Sequence, residues 1–417
     1  MTPQQIIEMF NEALAKSSPA ERAIFLDGAL RREPDARKQI EALLAASERA
    51  SKDFLESPPA AASLRAAASE KPADRIGRYQ LLQKIGEGGC GVVFLAEQEE
   101  PVRRQVALKV IKSGMDTQAV IARFEAERQA LAMMDHPNIA KVFDAGATER
   151  GRPYFVMELV RGVRITDYCQ ERNLPLRARL DLFIQVCHAI QHAHQKGIIH
   201  RDIKPSNILV NLNDGAPVPK VIDFGIAKAT ADHRLTDKTL FTAIEQFLGT
   251  PAYMSPEQAR LIDGDVDTRS DIYSLGVLLY ELLTGTTPFK QKELLAAGLD
   301  EMRRIIREIE PVKPSTRLTQ QLMRKEESGK PKTEMDDNAL RRLLHEVRGD
   351  LDWIVMKALE KDRARRYETA NGFANDIQRH LNNEPVVARP PSKFYEFQKA
   401  VRRHKVGFAA TGAIILA

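Results

Sequence analysis

Hydrophobic positions along the chain change their period twice, and each change marks a boundary. In residues 3–49 apolar residues recur at helical spacing: Ile6, Ile7, Met9, Phe10 and Leu14, then Ala23, Ile24, Phe25 and Leu30, then Ile40, Leu43 and Leu44. Ser18-Pro19-Ala20-Glu21 opens the second run as a capping box with proline at the first helical position, and Pro34-Asp35 opens the third. Residues 1–50 are predicted as a small helical region, too short to hold a large core. Residues 51–78 turn rich in Ala, Ser and Pro, the composition of a linker.

From Tyr79 the pattern shortens. YQLLQKI, VVFLAE and QVALKVI are short β-type runs separated by turns, which predicts a small antiparallel sheet. Beyond about residue 167 the helical period returns, over 180–193, 272–283, 351–359 and 374–381. The expected class is α+β, with a β-rich lobe followed by a larger helical lobe. Residues 291–348 are strongly charged, with KEESGKPKTEMDD among them, and read as a solvated insertion with some helix.

Composition changes this picture little. At 417 residues the chain exceeds one core, and 43% hydrophobic with 29% charged residues is ordinary for a globular protein. A net charge of +5 is small for this length, and no aromatic-studded basic stripe accompanies it, so nucleic acid is not an expected partner. Cys90, Cys169 and Cys187 lie far apart with no CxxC pair, which fits a reducing compartment better than a disulfide framework or a zinc site. The N-terminal MTPQQIIEMFNEALAKS places acids and polar residues where a secretion signal needs an apolar core.

The candidate chemistry begins at Ile85-Gly86-Glu87-Gly88-Gly89-Cys90-Gly91-Val92-Val93. Glycines at this spacing let the backbone approach phosphates and present its N–H groups to them. The run leads into a strand, whereas a dinucleotide-binding turn opens a helix, and it lacks the Gly-Lys-Ser/Thr ending of a P-loop. Alone it would equally suit a glycine hairpin. Val106-Ala107-Leu108-Lys109 then puts a lysine on the next strand. The helix expected after it carries Phe124, Glu127 and Leu131, which offers Glu127 as a partner for Lys109 with Glu125 as its rival. Further on stands His200-Arg201-Asp202-Ile203-Lys204-Pro205-Ser206-Asn207, and sixteen residues after Asn207 comes Asp223-Phe224-Gly225, behind the β-type Lys220-Val221-Ile222. A lone His-Arg-Asp is usually a surface ion pair; the ordered set is not.

In this order the motifs resemble the eukaryotic-type (Hanks-type) serine/threonine protein kinase family, in its bacterial branch, over residues 79–382. The resemblance implies the bilobal protein-kinase fold, ATP as phosphoryl donor, Mg2+ with Mn2+ as an alternative, and serine or threonine hydroxyls of proteins, this chain included, as acceptors in signal transduction. It assigns Asp202 as the catalytic base, Lys204 to the γ-phosphoryl group, Lys109 to the α- and β-phosphates, and Asn207 and Asp223 to the metal. Met157 resembles the gatekeeper, Glu158 and Val160 the hinge, and Val93, Ala107 and Leu209 the apolar walls around adenine. His200 and Phe224 resemble regulatory-spine residues. Gly249-Thr250-Pro251-Ala252-Tyr253-Met254-Ser255-Pro256-Glu257 resembles the segment that ends in Ala-Pro-Glu, with Ser255 replacing the alanine. Asp271 resembles the helix aspartate that steadies the catalytic loop. Arg366 resembles the arginine that pairs with Glu257, with Arg365 as its rival and Arg363 where proline is common. A phosphothreonine among Thr230, Thr236, Thr239 and Thr242 would pair with Arg201.

A pseudokinase scaffold would lack at least one of Lys109, Asp202, Asn207 and Asp223, and all are present. A small-molecule kinase would lack Lys204 and the Ser255-Pro256-Glu257 segment, and both are present. Finally, residues 406–417 contain no charge and follow Lys399, Arg402, Arg403 and Lys405, the arrangement expected on the cytoplasmic side of a spanning helix. Twelve residues rise roughly 18 Å against a hydrocarbon core of about 30 Å, so the stretch cannot span alone. The expectation is a cytoplasmic kinase domain, a basic juxtamembrane segment over 383–405, and the start of a membrane anchor at 406–417.

Overall fold

A computed structural model of the protein describes residues 26, 71–88, 91–111, 133–149, 151–224, 251–260, 266–327 and 334–403. The chain divides into two units, Met1–Lys71 and Pro72–Ala417, and the fold set out here is that of the second. Outside the described residues lie the predicted N-terminal helices apart from Leu26, and the linker up to residue 70. So do Gly89, Cys90, Glu127, Gly225, the four candidate threonines, Thr250 and the run 406–417.

The first lobe is a sheet built from β1 (Arg75–Ile76), β2 (Tyr79–Gly88), β3 (Gly91–Gln98), β4 (Arg104–Ile111), β5 (Val142–Ala147) and β6 (Pro153–Glu158). Its order is β1-β2-β3-β4-β6-β5, with every pair antiparallel. Alternation along β4 decides which side is core. Val106, Leu108 and Val110 are at most 2% exposed and pack with Tyr79, Leu81, Phe94, Ala96 and Val156. The intervening Ala107 and Lys109 face the other way. Directly opposed residues of an antiparallel ladder share a face. The pairs Val93↔Lys109 and Ala107↔Met157 therefore put Val93, Ala107, Lys109 and Met157 together on the face away from that core.

The second lobe starts with β7 (Val163–Arg164), α1 (Ile165–Glu171) and α2 (Leu176–Gln195), followed by β8 (Ile208–Asn213) and β9 (Ala216–Val221). These strands form a small sheet, β7-β8-β9. The centre of this lobe is α3 (Thr268–Thr284), buried almost all round, with its buried polar residues Ser270, Asp271 and Ser274 hydrogen-bonded. The Asp267 carboxylate accepts the Arg269 N–H at 2.7 Å to start it, and Gly285 at φ +73° ends it.

The described parts of the charged segment are more helical, and more buried, than its composition predicts. It holds α4 (Gln291–Ala296), α5 (Leu299–Glu308), α6 (Pro314–Glu327) and α7 (Glu334–Val347). Leu294, Met302, Ile306, Leu318 and Val347 from these helices join the main core. Ser315 gives its N–H and hydroxyl to Asp352 at 2.9 and 2.7 Å, and Gln321 donates to the Thr284 carbonyl at 2.9 Å. Among the described side chains, Lys292, Glu293, Asp300, Arg304 and Glu308 lie on the exposed side of this packing layer. The chain then forms α8 (Asp350–Ala358), α9 (Ala370–Leu381) and α10 (Lys393–Arg403). Gly276 of α3 lets α8 approach, since a Cβ there would lie 2.9 Å from that of Ala358.

Candidate active site

The loop between α2 and β8 hangs on one carboxylate. Asp271 of α3 is fully buried and accepts the N–H groups of His200 at 2.8 Å and Arg201 at 2.9 Å, with His194 Nε2 at 2.8 Å. Burial alone would raise its pKa, but the bond with His194 and the N–H donors outweigh it and the carboxyl sits below its ordinary value. From the other side Gln258 donates to the Arg201 carbonyl at 3.0 Å. Between these holds Arg201 takes φ +61°, a conformation that a non-glycine residue keeps only when its surroundings impose it.

Asp202, Lys204 and Asn207 are brought together by that loop and the tight turn Pro205–Asn207. Asn207 Nδ2 donates to the Asp202 carbonyl at 2.8 Å and to its Oδ2 at 3.1 Å. The Lys204 ammonium lies 2.8 Å from the same Oδ2. The Asn207 carbonyl accepts the Ile222 N–H at 2.9 Å, which ties this loop to the residue before Asp223. Asp223 also adopts φ +61°, and its carboxylate forms an ion pair with Lys109. The sheet face thus meets the end of β9 through Lys109 and Asp223, and the loop that gathers Asp202, Lys204 and Asn207 is joined to the same strand end through the Ile222 N–H. The expected partner Glu127 lies outside the described residues.

His200 is buried against Phe224, ring centroids 4.6 Å apart. Burial lowers its pKa. A neutral ring fits its contacts: Nδ1 accepts the Asp202 N–H at 3.3 Å, and Nε2 lies 3.3 Å from the Ile222 carbonyl.

Around the cleft, Val93, Ala107 and Met157 share the Lys109 face, while Leu209 lies on β8 opposite Arg164 and Lys220. Glu158 ends β6, with its carboxylate 2.8 Å from the Lys220 ammonium. Val160 and Val92 are half-buried. Ile85 is exposed, and Glu87 pairs with Lys84 along β2. Gly88 and Gly91 oppose each other where the hairpin turns. Of the two, Gly91 is sterically demanded: a Cβ there would lie 2.4 Å from the Val110 carbonyl oxygen, whereas Gly88 faces open space.

Asp223 and Asn207 offer two hard oxygen donors, and among the described residues no group of three or more His, Cys, Asp or Glu could hold a metal. That set fits Mg2+, which binds through one or two protein oxygens plus phosphate and water, and Mn2+ shares the preference. Below the cleft Arg366 meets Glu257 with two bonds, at 2.7 and 2.8 Å, while Arg365 stays exposed beside Glu360. The rivalry between the two arginines is resolved for Arg366. Sequence reasoning passed over His194, Gln258 and Lys220. Only Lys220 had a signal, as the one charge in the β-type run before Asp223.

Residues 79–378 match a family model for the protein kinase domain. Curated relatives include serine/threonine-protein kinase PknB of Mycobacterium tuberculosis, 36% identical over 325 residues that cover 76% of this chain and 45% of that protein. Another is a probable serine/threonine-protein kinase of Clostridium perfringens, 34% identical over 312 residues, covering 74% of this chain and 39% of that one. The chain spans less than half the length of these relatives. The crystal structure of the Mycobacterium tuberculosis PknI kinase domain superposes with a TM-score of 0.53 at 23% identity, covering 75% of this chain and 100% of that one, a likeness of fold. With the family model covering most of its length and the bilobal fold in place, this chain belongs to the protein kinase family, in its bacterial Hanks-type branch.

Proposed function

We propose that the protein is a serine/threonine protein kinase that transfers the γ-phosphoryl group of ATP to protein hydroxyls, including its own. The observation that carries this reading is a pair of clusters, Lys109 with Asp223 and Asn207 with Asp202 and Lys204, tied together by the Ile222 N–H on the Asn207 carbonyl. ATP with Mg2+ supplies the transferable group and neutralises its charge; the chain's residues position the partners, which is most of what a loose transition state requires. Asp202 takes the proton of the acceptor hydroxyl. Lys204, 2.8 Å from Asp202, stands where negative charge develops. Asp223 and Asn207 hold the metal, and Lys109 holds the phosphates. Val93, Ala107, Met157 and Leu209 enclose the base, the backbone at Glu158 and Val160 meets its edge, and the glycine run 86–91 would cover the phosphates and exclude water.

Lys204 and the Ser255-Pro256-Glu257 segment favour a peptide hydroxyl over a small molecule. Anchorage through residues 406–417 belongs to the same proposal, supported by their uncharged sequence behind a basic run. Among the described residues no helix is long and apolar enough to cross a membrane.

The test is phosphate transfer from ATP to a generic protein substrate by the full chain and by Lys109→Met and Asn207→Ala. Each variant should lose on the order of 10²–10³ in rate while keeping the wild-type circular dichroism. Full activity in both would remove the proposed site.

A further inference from the structure

Helix α10 has two unlike faces. Its inner face is polar and gathers on Asp350, at the start of α8. That carboxylate receives the Tyr395 hydroxyl at 2.9 Å and the Lys399 ammonium at 2.5 Å, with His380 Nδ1 at 3.3 Å. Tyr395 accepts the Val386 N–H at 3.2 Å and lies under the Arg389 guanidinium at 4.1 Å. Tyr395 and Lys399 are only 4% and 6% exposed. Lys399, counted in the sequence among cations flanking an anchor, is thus turned inward.

The outer face is apolar. Phe394 is 78% and Phe397 58% exposed, and Val401 follows on the same stripe at helical spacing. A helix that docks through tyrosine and lysine and leaves its phenylalanines outside has the reverse of a core helix's pattern. Charge and chain position select what covers this face. Lys393 and Arg403 are exposed at its two ends, and the sequence continues Arg402-Arg403-His404-Lys405. Against these stand Glu396 on the helix and Glu384, 3.6 Å from Arg403. The uncharged run 406–417 follows at once. Aromatic residues on one face with basic residues beside them are the composition of a helix lying in a bilayer interface, and the cations select anionic headgroups.

We propose that α10 is a membrane-contact helix that inserts Phe394 and Phe397 into an anionic bilayer surface. Its docking on Asp350 would hold the α8–α9 end of the kinase against that surface. This contact does not depend on 406–417 spanning anything, and the test separates the two.

The full chain is sedimented with phosphatidylcholine vesicles, with and without phosphatidylserine. It is compared with F394S/F397S and with a chain whose residues 406–417 are replaced by glycine and serine. The replaced chain should still bind phosphatidylserine vesicles, and adding F394S/F397S to it should weaken that binding on the order of a hundredfold, about tenfold per phenylalanine. As a second readout, F397W in a W353F background (Trp353 is the only tryptophan) should shift its emission to the blue with phosphatidylserine vesicles. Four results would overturn the proposal: binding unaffected by F394S/F397S, binding lost entirely with 406–417, equal binding to both vesicle types, or a dimer in solution that F394S/F397S dissolves while vesicle binding stays unchanged.

Discussion

Replacing Arg366 with methionine isolates a single buried charge. The guanidinium side chain is 0% exposed and that of Glu257 5%. Arg366 gives each Glu257 oxygen a hydrogen bond, at 2.7 and 2.8 Å. It also donates to the carbonyls of Arg269, Glu360 and Lys361 at 2.9, 2.7 and 3.2 Å. Methionine keeps much of the stem but leaves Glu257 with the Ser270 hydroxyl, at 2.6 Å, as its side-chain donor. Removing one partner of a buried pair costs about 3–5 kcal/mol, and the deserted carbonyls place the expected loss in the upper part of that range. Arg365, with its side chain 73% exposed and 3.9 Å from Glu360, is a surface pair, so R365M should change stability by less than about 0.5 kcal/mol.

The assay is urea unfolding followed by circular dichroism, for R366M, R365M, E257Q and the E257Q/R366M pair. The double variant should recover part of the R366M loss, because the stranded charge is gone. The pH dependence has a defined sign. Burial pushes the Glu257 carboxyl up, but Arg366 and Ser270 outweigh it and hold it below its ordinary value. The pair's stabilisation is therefore present above the unfolded carboxylate pKa and lost as the pH falls through the folded one. The gap between wild type and R366M should close in acid. An R366M loss below about 1 kcal/mol, or equal losses for R365M and R366M, would refute the reasoning.

Asp271→Asn leaves one oxygen to serve the two loop N–H groups of His200 and Arg201; losing a bond to a charged acceptor costs about 1.5–3 kcal/mol, so kcat should fall at least about tenfold with the KM for ATP little changed. Gly91→Ala drives a Cβ towards the Val110 carbonyl, which should cost about 1–3 kcal/mol in a melting experiment and weaken ATP binding, while Gly88→Ala melts as wild type. Asp350→Asn should release α10, seen as faster hydrogen exchange over 393–403. Burial pushes that carboxyl up, but its bonds with His380, Lys399 and Tyr395 hold it well below the carboxylate range. In wild type the protection should persist through mildly acidic pH and fade only in strong acid.

The residues of the proposed site could be named from the sequence because the chemistry proposed for them admits few residue types and demands them at fixed spacing, in loops and, for Lys109, on a strand. Lys109, Asp202, Lys204, Asn207 and Asp223 could be picked out before any fold was known, and they meet in space. What supports them was not legible. His194 reaches Asp271 from the last turn of α2, a contact between residues 77 apart that no local pattern announces. Arg365 and Arg366 have the same chemistry, and only burial tells them apart. In the 291–348 segment, charge averaged over a window concealed about one apolar residue per turn on α6 and α7. Leu318, Leu322 and Val347 are buried there, with Leu340, Leu343 and Leu344 packed against the core. Lys399 looked like a flank cation because its partner, Asp350, lies 49 residues upstream.

The reading of this chain as a serine/threonine kinase is tested most directly by incubating it with γ-labelled ATP and Mg2+, beside Asp202→Asn, and identifying the labelled amino acids. The wild-type chain should carry label on serine and threonine, and loss of the base should cut the rate by about 10²–10⁴. Equal labelling of the two proteins, or label confined to tyrosine, would contradict it.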